Sequence, residues 1–527
     1  MLTPSTGYLI LLVFGLFFTG LTIIMQRRNK AAMTAEQFST AGRSVGVGLA
    51  SASIIAAWTW AATLMMSSST GYQYGISGPY WYAAGACIQV LLFAIVAIHL
   101  KRKAPKAHTF LEFIGQRFDQ KNHRLMLVFA LMTNIIVTAM VILGGAIALN
   151  SLTGMNVYMA AFLIPLTFTI YTMIGGLKAS FIADYLNAIM IFVIIAVFAV
   201  AVYYKFGVTT VYEGLRNLPE SQYMLTMASV PGLFFGIINI IGNFGAVFVD
   251  QSYWQRAIAS TDKAASKAYI YGGIAWFSIP FAIATFLGVS AAGLGISVPT
   301  PDSVAAVMSS HLLGTAGSLL FLIMLFTAVV STGAAELTAI TNIIVTDIYR
   351  RSINPKASGE KLLSVSRKVM LCFGVAMGVL SILLFQMGIG LGFVYMAMGI
   401  FVSGAVIPVT LGLMWKRATN DGAFYGALFG LVGGVTVWLA SARVVYGGIN
   451  VESLGQLEPM LFGNLAVFLI SGVISIGHGL MANKEFDFES LKDKFSSFDE
   501  EVEVGKKDGR EPKTRKDVVV YEGPAVK

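Results

Sequence analysis

Charge is the scarcest resource in this chain. Only 12% of its 527 residues are charged, 56% are hydrophobic, and the mean hydropathy is +0.74. A soluble domain carries about 25% charge, so this chain has too little polar surface to face water all round, and a soluble enzyme is excluded. Cysteine is nearly missing. Cys87 and Cys372 both fall inside apolar runs, which excludes a disulfide framework and makes a cysteine metal site implausible. The five histidines show no HExxH or Cys/His spacing and lie near span ends or in loops, where interfacial or solvated positions are expected. No GxxxxGK[ST] segment is present to cradle nucleotide phosphates, which excludes an ATP-driven pump. The serine-rich run Met66–Gly71 lacks the strand–turn–helix setting of a hydrolase nucleophile. No basic residue precedes the first apolar run, whereas Arg27, Arg28 and Lys30 follow it. That is the reverse of a secretory signal, so the run is expected to remain as a span.

What the chain has instead is a succession of apolar runs, each long enough to cross a hydrocarbon core of about 30 Å as a helix. Thirteen spans are expected, near 6–25, 45–71, 78–99, 125–150, 156–175, 181–204, 231–257, 269–293, 316–346, 367–387, 390–415, 422–442 and 460–481. An all-α membrane domain over 1–482 follows, because lipid offers the backbone no partners. The net charge of +9 is a topology signal and does not point to nucleic acid. With the N-terminus outside, 23 Lys and Arg fall on the cytoplasmic side and only Lys205, Arg216 and Arg443 on the other, leaving out the tail. Residues 483–527 mix acids and bases and read as a largely disordered cytoplasmic tail, with Phe486–Phe498 able to form a short amphipathic helix. Spans 2–6 and 7–11 number five each, so they would enter the membrane in opposite senses, as inverted repeats do.

Ionisable residues inside spans cost about 2.5–3.5 kcal/mol on insertion scales and each needs a reason. Asp184 in span 6 and Asp250 in span 7 fit either a structural ion pair, with Arg256 available, or an ion pathway. Glu336 in span 9 lies too deep to snorkel and points to ion release or proton exchange. Also in span 9, Ala328, Ser331 and Thr332 place a carbonyl and two hydroxyls on one helical face, neutral oxygens of the kind a sodium ion takes. Span 2 offers a partner in Ser53–Thr59. The competing reading is hydroxyls bonded to their own helix or to a neighbour. In span 7, Ile241-Gly-Asn-Phe-Gly245 fits a helix break presenting Asn243 to a solute, or simply a close helix contact.

These same residues resemble the sodium:solute symporter family, over about residues 5–480. The resemblance rests on Ser53–Gly71, Gly175–Asp184, Tyr253–Arg256 and Ala328–Asp347, which leads into Thr346-Asp-Ile-Tyr349. Within the family, Ala57–Ala62, Tyr72–Pro79, Phe248–Ala257, Ser331–Leu337, Ile353–Lys356 and Tyr395–Gly399 resemble the urea active transporter branch. The resemblance implies a LeuT-type five-plus-five inverted repeat, with core repeats about 45–204 and 231–415. It implies a sodium site at Ala56, Thr59, Ala328, Ser331 and Thr332, with Asp184 near the ion's inward exit. Sugar-carrying relatives place acid and amide side chains where this chain has Ala62 and Thr63. Tyr82 and Phe277 likewise replace polar sugar contacts, whereas Asn243 keeps its amide.

A pocket that loses charge and gains aromatics suits a small neutral amide. Urea is the expected solute, with Asn243, Thr63, Tyr82 and Tyr395 as contacts and Trp58 and Trp60 as stacking or gating rings. The expected activity is symport in a plasma or inner cell membrane, driven by sodium or by protons through Glu336. Suitable oxygens at all five positions implied by the resemblance favour sodium. No organic cofactor, nucleic acid or protein partner is implied. The rivals are a facilitative urea channel and a symporter for another amine or amide such as a polyamine.

Overall fold

The computed structural model describes residues 2–28, 33–482, 485–491, 494–495 and 498. Regular structure among them is helical, apart from one isolated bridge between Val45 and Ser260. Eleven helices are long and apolar enough to cross a membrane, and the bent pair Val47–Trp58 and Ala61–Tyr74 makes a twelfth crossing. Helix Val157–Lys205 runs for 49 residues, or about 73 Å at the helical rise, more than twice the thickness of a bilayer core. It breaks at Gly176, whose φ of 58° suits glycine. A Cβ there would sit 2.7 Å from the Phe38 ring. Dividing the helix at that point yields the thirteen apolar segments read from the sequence.

Large apolar side chains such as Leu9, Leu12, Leu16 and Phe17 are exposed on the first span, as faces turned to lipid must be. The polar side chains of the spans turn inward. Helix Val47–Trp58 packs on Val157–Lys205, Asp262–Ile283 and Val304–Asn342, so the hydroxyl-bearing stretches of spans 2 and 9 meet. Helix Val230–Phe248 packs on Ser77–Lys103 and Leu391–Val402, which closes a second side of the same interior.

Three expectations are corrected. Helix Val230–Phe248 runs unbroken through residues 241–245. Its Gly242 admits the backbone of Gly399 so closely that a Cβ on Gly399 would lie 2.7 Å from the Gly242 Cα, so the glycine serves a helix contact. The interruption comes later, at Val249–Asp250. His108 and His123 are buried, not solvated, and each meets a carboxylate: Glu36 at 2.6 Å and Asp347 at 2.9 Å. Finally, the described part of the tail forms no amphipathic helix. It has one 3-10 turn, Phe488–Leu491, and its rings seek cations. Phe488 lies under Lys103 and Phe486 under Arg117, with the cations 3.3 and 4.2 Å from the ring centres. Phe498 stacks on His108 at 3.7 Å. Residues 499–527 lie outside the described residues.

Candidate functional site

Span 2 sets the site because its helix fails in mid-membrane. Helix Val47–Trp58 ends, Ala61–Tyr74 begins, and the two are bent by 60°. The break is stabilised locally. Thr63 Oγ1 accepts from the Trp60 N–H at 3.0 Å and donates to the Trp58 carbonyl at 3.3 Å, and Trp60 Nε1 donates to the Ala57 carbonyl at 3.0 Å. Two tryptophans are thereby fixed on the inner side, 4.9 Å apart and edge to face.

On that side lies a narrow, tightly closed pocket walled by Trp58, Trp60, Thr63, Tyr82, Ala86, Asn243, Trp276 and Tyr395. All six side chains expected at the solute site are therefore brought together, and all are buried. Their polar atoms are not equally free. Thr63 is committed to the helix break. Tyr395 donates to Asn239 Oδ1 at 2.6 Å and stacks on Tyr82 with ring centres 5.6 Å apart. Asn243 Nδ2 donates to the Asn239 carbonyl at 2.8 Å. That carbonyl can only accept, so the Asn243 amide is oriented without ambiguity, and no donor among the described residues meets its own Oδ1.

Sequence reasoning missed two members. Asn239 anchors the group, donating to the carbonyls of Trp81 and Tyr82 at 3.1 and 2.9 Å while its Oδ1 accepts from Asn243 and Tyr395. Its place one turn before Asn243 was the available signal. Trp276, in helix Asp262–Ile283, is 1% exposed and its Nε1 has no hydrogen-bond partner. Phe277, beside it, does not line the cavity. Trp276 Nε1 is thus a buried donor without a partner in this wall, and Asn243 Oδ1 accepts no hydrogen bond from the described residues.

The other side of the span 2 break faces span 9. Thr332 Oγ1 lies 3.2 Å from the Ala57 carbonyl and 3.4 Å from that of Thr59. The Ala56 carbonyl accepts from the Thr59 N–H at 3.2 Å. Ser331 donates to Asp184 Oδ1 at 2.5 Å, and Ser53 to Asp184 Oδ2 at 2.5 Å. Ala56, Thr59, Ala328, Ser331 and Thr332 are all fully buried. Hydroxyls and helix-end carbonyls in one place, with a carboxylate behind them, are hard oxygen donors that fit a sodium ion. Asp184 pairs with Arg256 at 3.2 Å, and Arg256 Nε also holds Ser53 at 3.0 Å. The ion pair allowed for Asp184 is therefore present. Arg256 does not pair with Asp250.

One turn below Thr332, Glu336 meets a different partner. Asn134 Nδ2 donates both to Glu336 Oε2 and, at 3.1 Å, to Asp250 Oδ1. Two ionised carboxylates held on one amide would repel each other.

Comparison with known proteins decides the family. The family profile described as sodium:solute symporter family matches residues 38–430. The chain belongs to that family. Among relatives of this symporter, the urea-proton symporter DUR3 of Oryza sativa subsp. japonica is 43% identical, the match covering 93% of this chain and 73% of the relative. The urea active transporter of Saccharomyces cerevisiae is 37% identical over 95% of this chain and 72% of its own length. The solved structure of a sodium-coupled sialic acid symporter, outward-open with substrate bound, superposes with a TM-score of 0.69 at 18% identity, covering 90% of this chain and 98% of that one. The fold is thus of the LeuT type, in a multi-pass membrane protein, and cation-coupled transport is the family's activity.

Proposed function

We propose that this symporter carries urea inward together with a proton, by alternating access about the span 2 break. The observation that carries the solute assignment is a buried indole N–H without a protein partner, Trp276 Nε1, in the same aromatic pocket as the amide oxygen of Asn243. Urea offers a carbonyl to Trp276 Nε1 and N–H groups to Asn243 Oδ1, and it is flat enough to lie among Trp58, Trp60 and the stacked Tyr82–Tyr395 pair. A polyamine needs an acid, and none of the residues lining the cavity is acidic. The relatives at 37–43% identity named for urea support the same solute.

The sodium preference drawn from the five positions of the family's sodium site gives way here to a proton. The 43% relative is named a urea-proton symporter, and buried carboxyls that share an amide are suited to bind one. Should sodium take part, the oxygens of Ala56, Thr59, Ala328, Ser331 and Thr332 would hold it. It would supply a positive charge bridging spans 2 and 9. The charge asymmetry of the loops supports a plasma-membrane orientation with the N-terminus outside and the C-terminus in the cytoplasm.

Radiolabelled urea uptake into proteoliposomes tests the reading, with sodium and proton gradients imposed separately. Accumulation is expected with an acid exterior and no sodium. Uptake that follows sodium and ignores pH would overturn the proton assignment. Failure to take up urea under either gradient would overturn the solute.

A further inference from the structure

The membrane interior of this protein holds more acid than base. Asp184, Asp250 and Glu336 are buried at 0–1% exposure, close to a single buried guanidinium, Arg256. That guanidinium is already engaged: Nε on Ser53, Nη1 on the Ser252 carbonyl, Nη2 on Asp184. Asp250 and Glu336 have instead the one amide of Asn134, whose Nδ2 serves both carboxyls. Asp250 Oδ1 also caps helix Gln251–Ala259, accepting from the Ser252 N–H at 2.7 Å.

Beyond these bonds the cluster is incompletely paired, with the Ser252 hydroxyl a further neutral donor beside the two carboxyls. Asp250 Oδ2, Asn134 Oδ1 and Ser252 Oγ are buried and have no hydrogen-bond partner among the described residues. Two adjacent buried carboxylates repel, and burial costs each of them hydration. One proton relieves both penalties, because it removes a charge and supplies a further donor. The other titratable groups facing the pair are Arg256, with Asp184 beyond it, and the Tyr253 phenol; neither removes the need for that proton.

We propose that Asp250 and Glu336, bridged by Asn134, form the binding site of the coupled proton. This inference rests on the proton-symport reading above. A carboxylate oxygen of the pair takes the proton from water when the site is open outward and returns it to water when the site opens inward. The site ties three elements together: Asn134 on span 4, Asp250 at the interruption of span 7 just beyond Asn243, and Glu336 on the helix that carries Ser331 and Thr332. With the proton bound, the carboxyls can share a hydrogen and hold spans 7 and 9 in the closed arrangement. Without it, repulsion drives these spans apart.

The test separates exchange from accumulation in proteoliposomes. A pH gradient of one unit supports up to about tenfold accumulation with one proton per urea. Glu336→Gln keeps the shape of a protonated carboxyl but cannot release the proton. It is expected to retain urea counterflow, with equal pH on both sides, and to lose accumulation, the ratio falling to about one. Asp250→Asn is expected to do the same, and it serves if Glu336→Gln misfolds. Infrared difference spectra of the wild-type protein across a pH titration should show a protonated carboxyl band. Absence of that band overturns the site whatever the variants do. Proton-driven accumulation surviving in either variant at the wild-type ratio also overturns it. If wild-type protein ignores the pH gradient altogether, the proton-symport reading fails first, which is a separate result.

Discussion

Trp276→Phe is the substitution that isolates the urea assignment. It removes one N–H and leaves an aromatic ring in the same wall. No protein hydrogen bond is lost, because Trp276 Nε1 has no partner to lose. The stability cost is then that of the smaller ring: roughly 40 Å3 of new cavity at about 24 cal/mol per Å3, or about 1 kcal/mol. That is a modest fraction of a domain's stability, so the variant should reach the membrane folded. Binding suffers differently. A buried urea carbonyl left without a donor costs about 1–3 kcal/mol, which corresponds to about 5–150-fold in half-saturating urea. The assay is initial uptake rate against urea concentration, repeated with thiourea, whose sulfur is a weaker acceptor. Wild-type protein should prefer urea clearly, and Trp276→Phe should narrow that preference by raising the urea value alone. Unchanged half-saturation together with an intact urea-to-thiourea ratio would refute the donor role and, with it, the orientation of urea in the cavity.

Proton-driven uptake in sodium-free medium should survive Ser331→Ala, since that hydroxyl serves Asp184 and not the urea cavity; loss of uptake with a new demand for sodium would restore the sodium reading. Docking of Phe498 should be sensitive to pH through His108. Burial opposes its charge, yet Glu112 and Glu36 raise it above the usual 6.5, while Glu36 and Glu112, also buried, are held below the usual 4.5 chiefly by His108. The histidine's contribution is complete below pH 6.5 and fades as pH climbs through its raised value; the carboxylates' contribution is present above 4.5 and fades as pH falls through theirs. Docking of Phe498, whose N–H donates to Glu36 at 3.2 Å, is therefore firmest between about pH 4.5 and 6.5. Amide exchange at Phe498, corrected for intrinsic rate, should quicken as pH rises past that window and should lose this trend in His108→Gln; pH-independent protection in the wild-type protein would contradict it.

What the sequence made legible follows from which forces act locally. Apolar runs are long-range signals that no tertiary contact can reverse, so the spans could be read directly. The expected solute side chains come from the family resemblance more than from local physics, and the structure gathers them around one pocket. Other features depend on what lies across the bundle. Glycines at 242 and 245 fit a break or a contact equally well, and only the approach of Gly399 decides between them. His108 and His123 looked solvated because the carboxylates that bury them, Glu36 and Asp347, are far away in sequence. Trp276 was passed over for the same reason. A tryptophan in a span is usually packing, and an unused N–H shows only when every neighbour is in place.

The same span 2 break also explains how an ion and a solute can be coupled without touching. Trp58, Trp60 and Thr63 wall the proposed solute pocket, while the carbonyls of Ala57 and Thr59 turn to Thr332 on span 9. Trp60 bonds the very carbonyl that Thr332 approaches. A shift of span 9 therefore moves a ring in the cavity wall through one shared backbone group. Span 7 makes a parallel link, with Asn243 in the wall and Asp250 just past the helix end, beside Glu336 on span 9. A ligand shifts an equilibrium only by the difference in its affinity for the two states. Charge at Asp250 and Glu336 has such a difference, because the closed arrangement presses the carboxyls onto one amide and an open one would separate them. Proton binding thus favours the state in which the urea cavity is sealed. By reciprocity, urea that draws Asn243 and Trp276 together should tighten proton binding by the same factor. Urea should therefore raise the pH at which the protonated-carboxyl infrared band disappears, and a band position indifferent to saturating urea would break the link between the two sites.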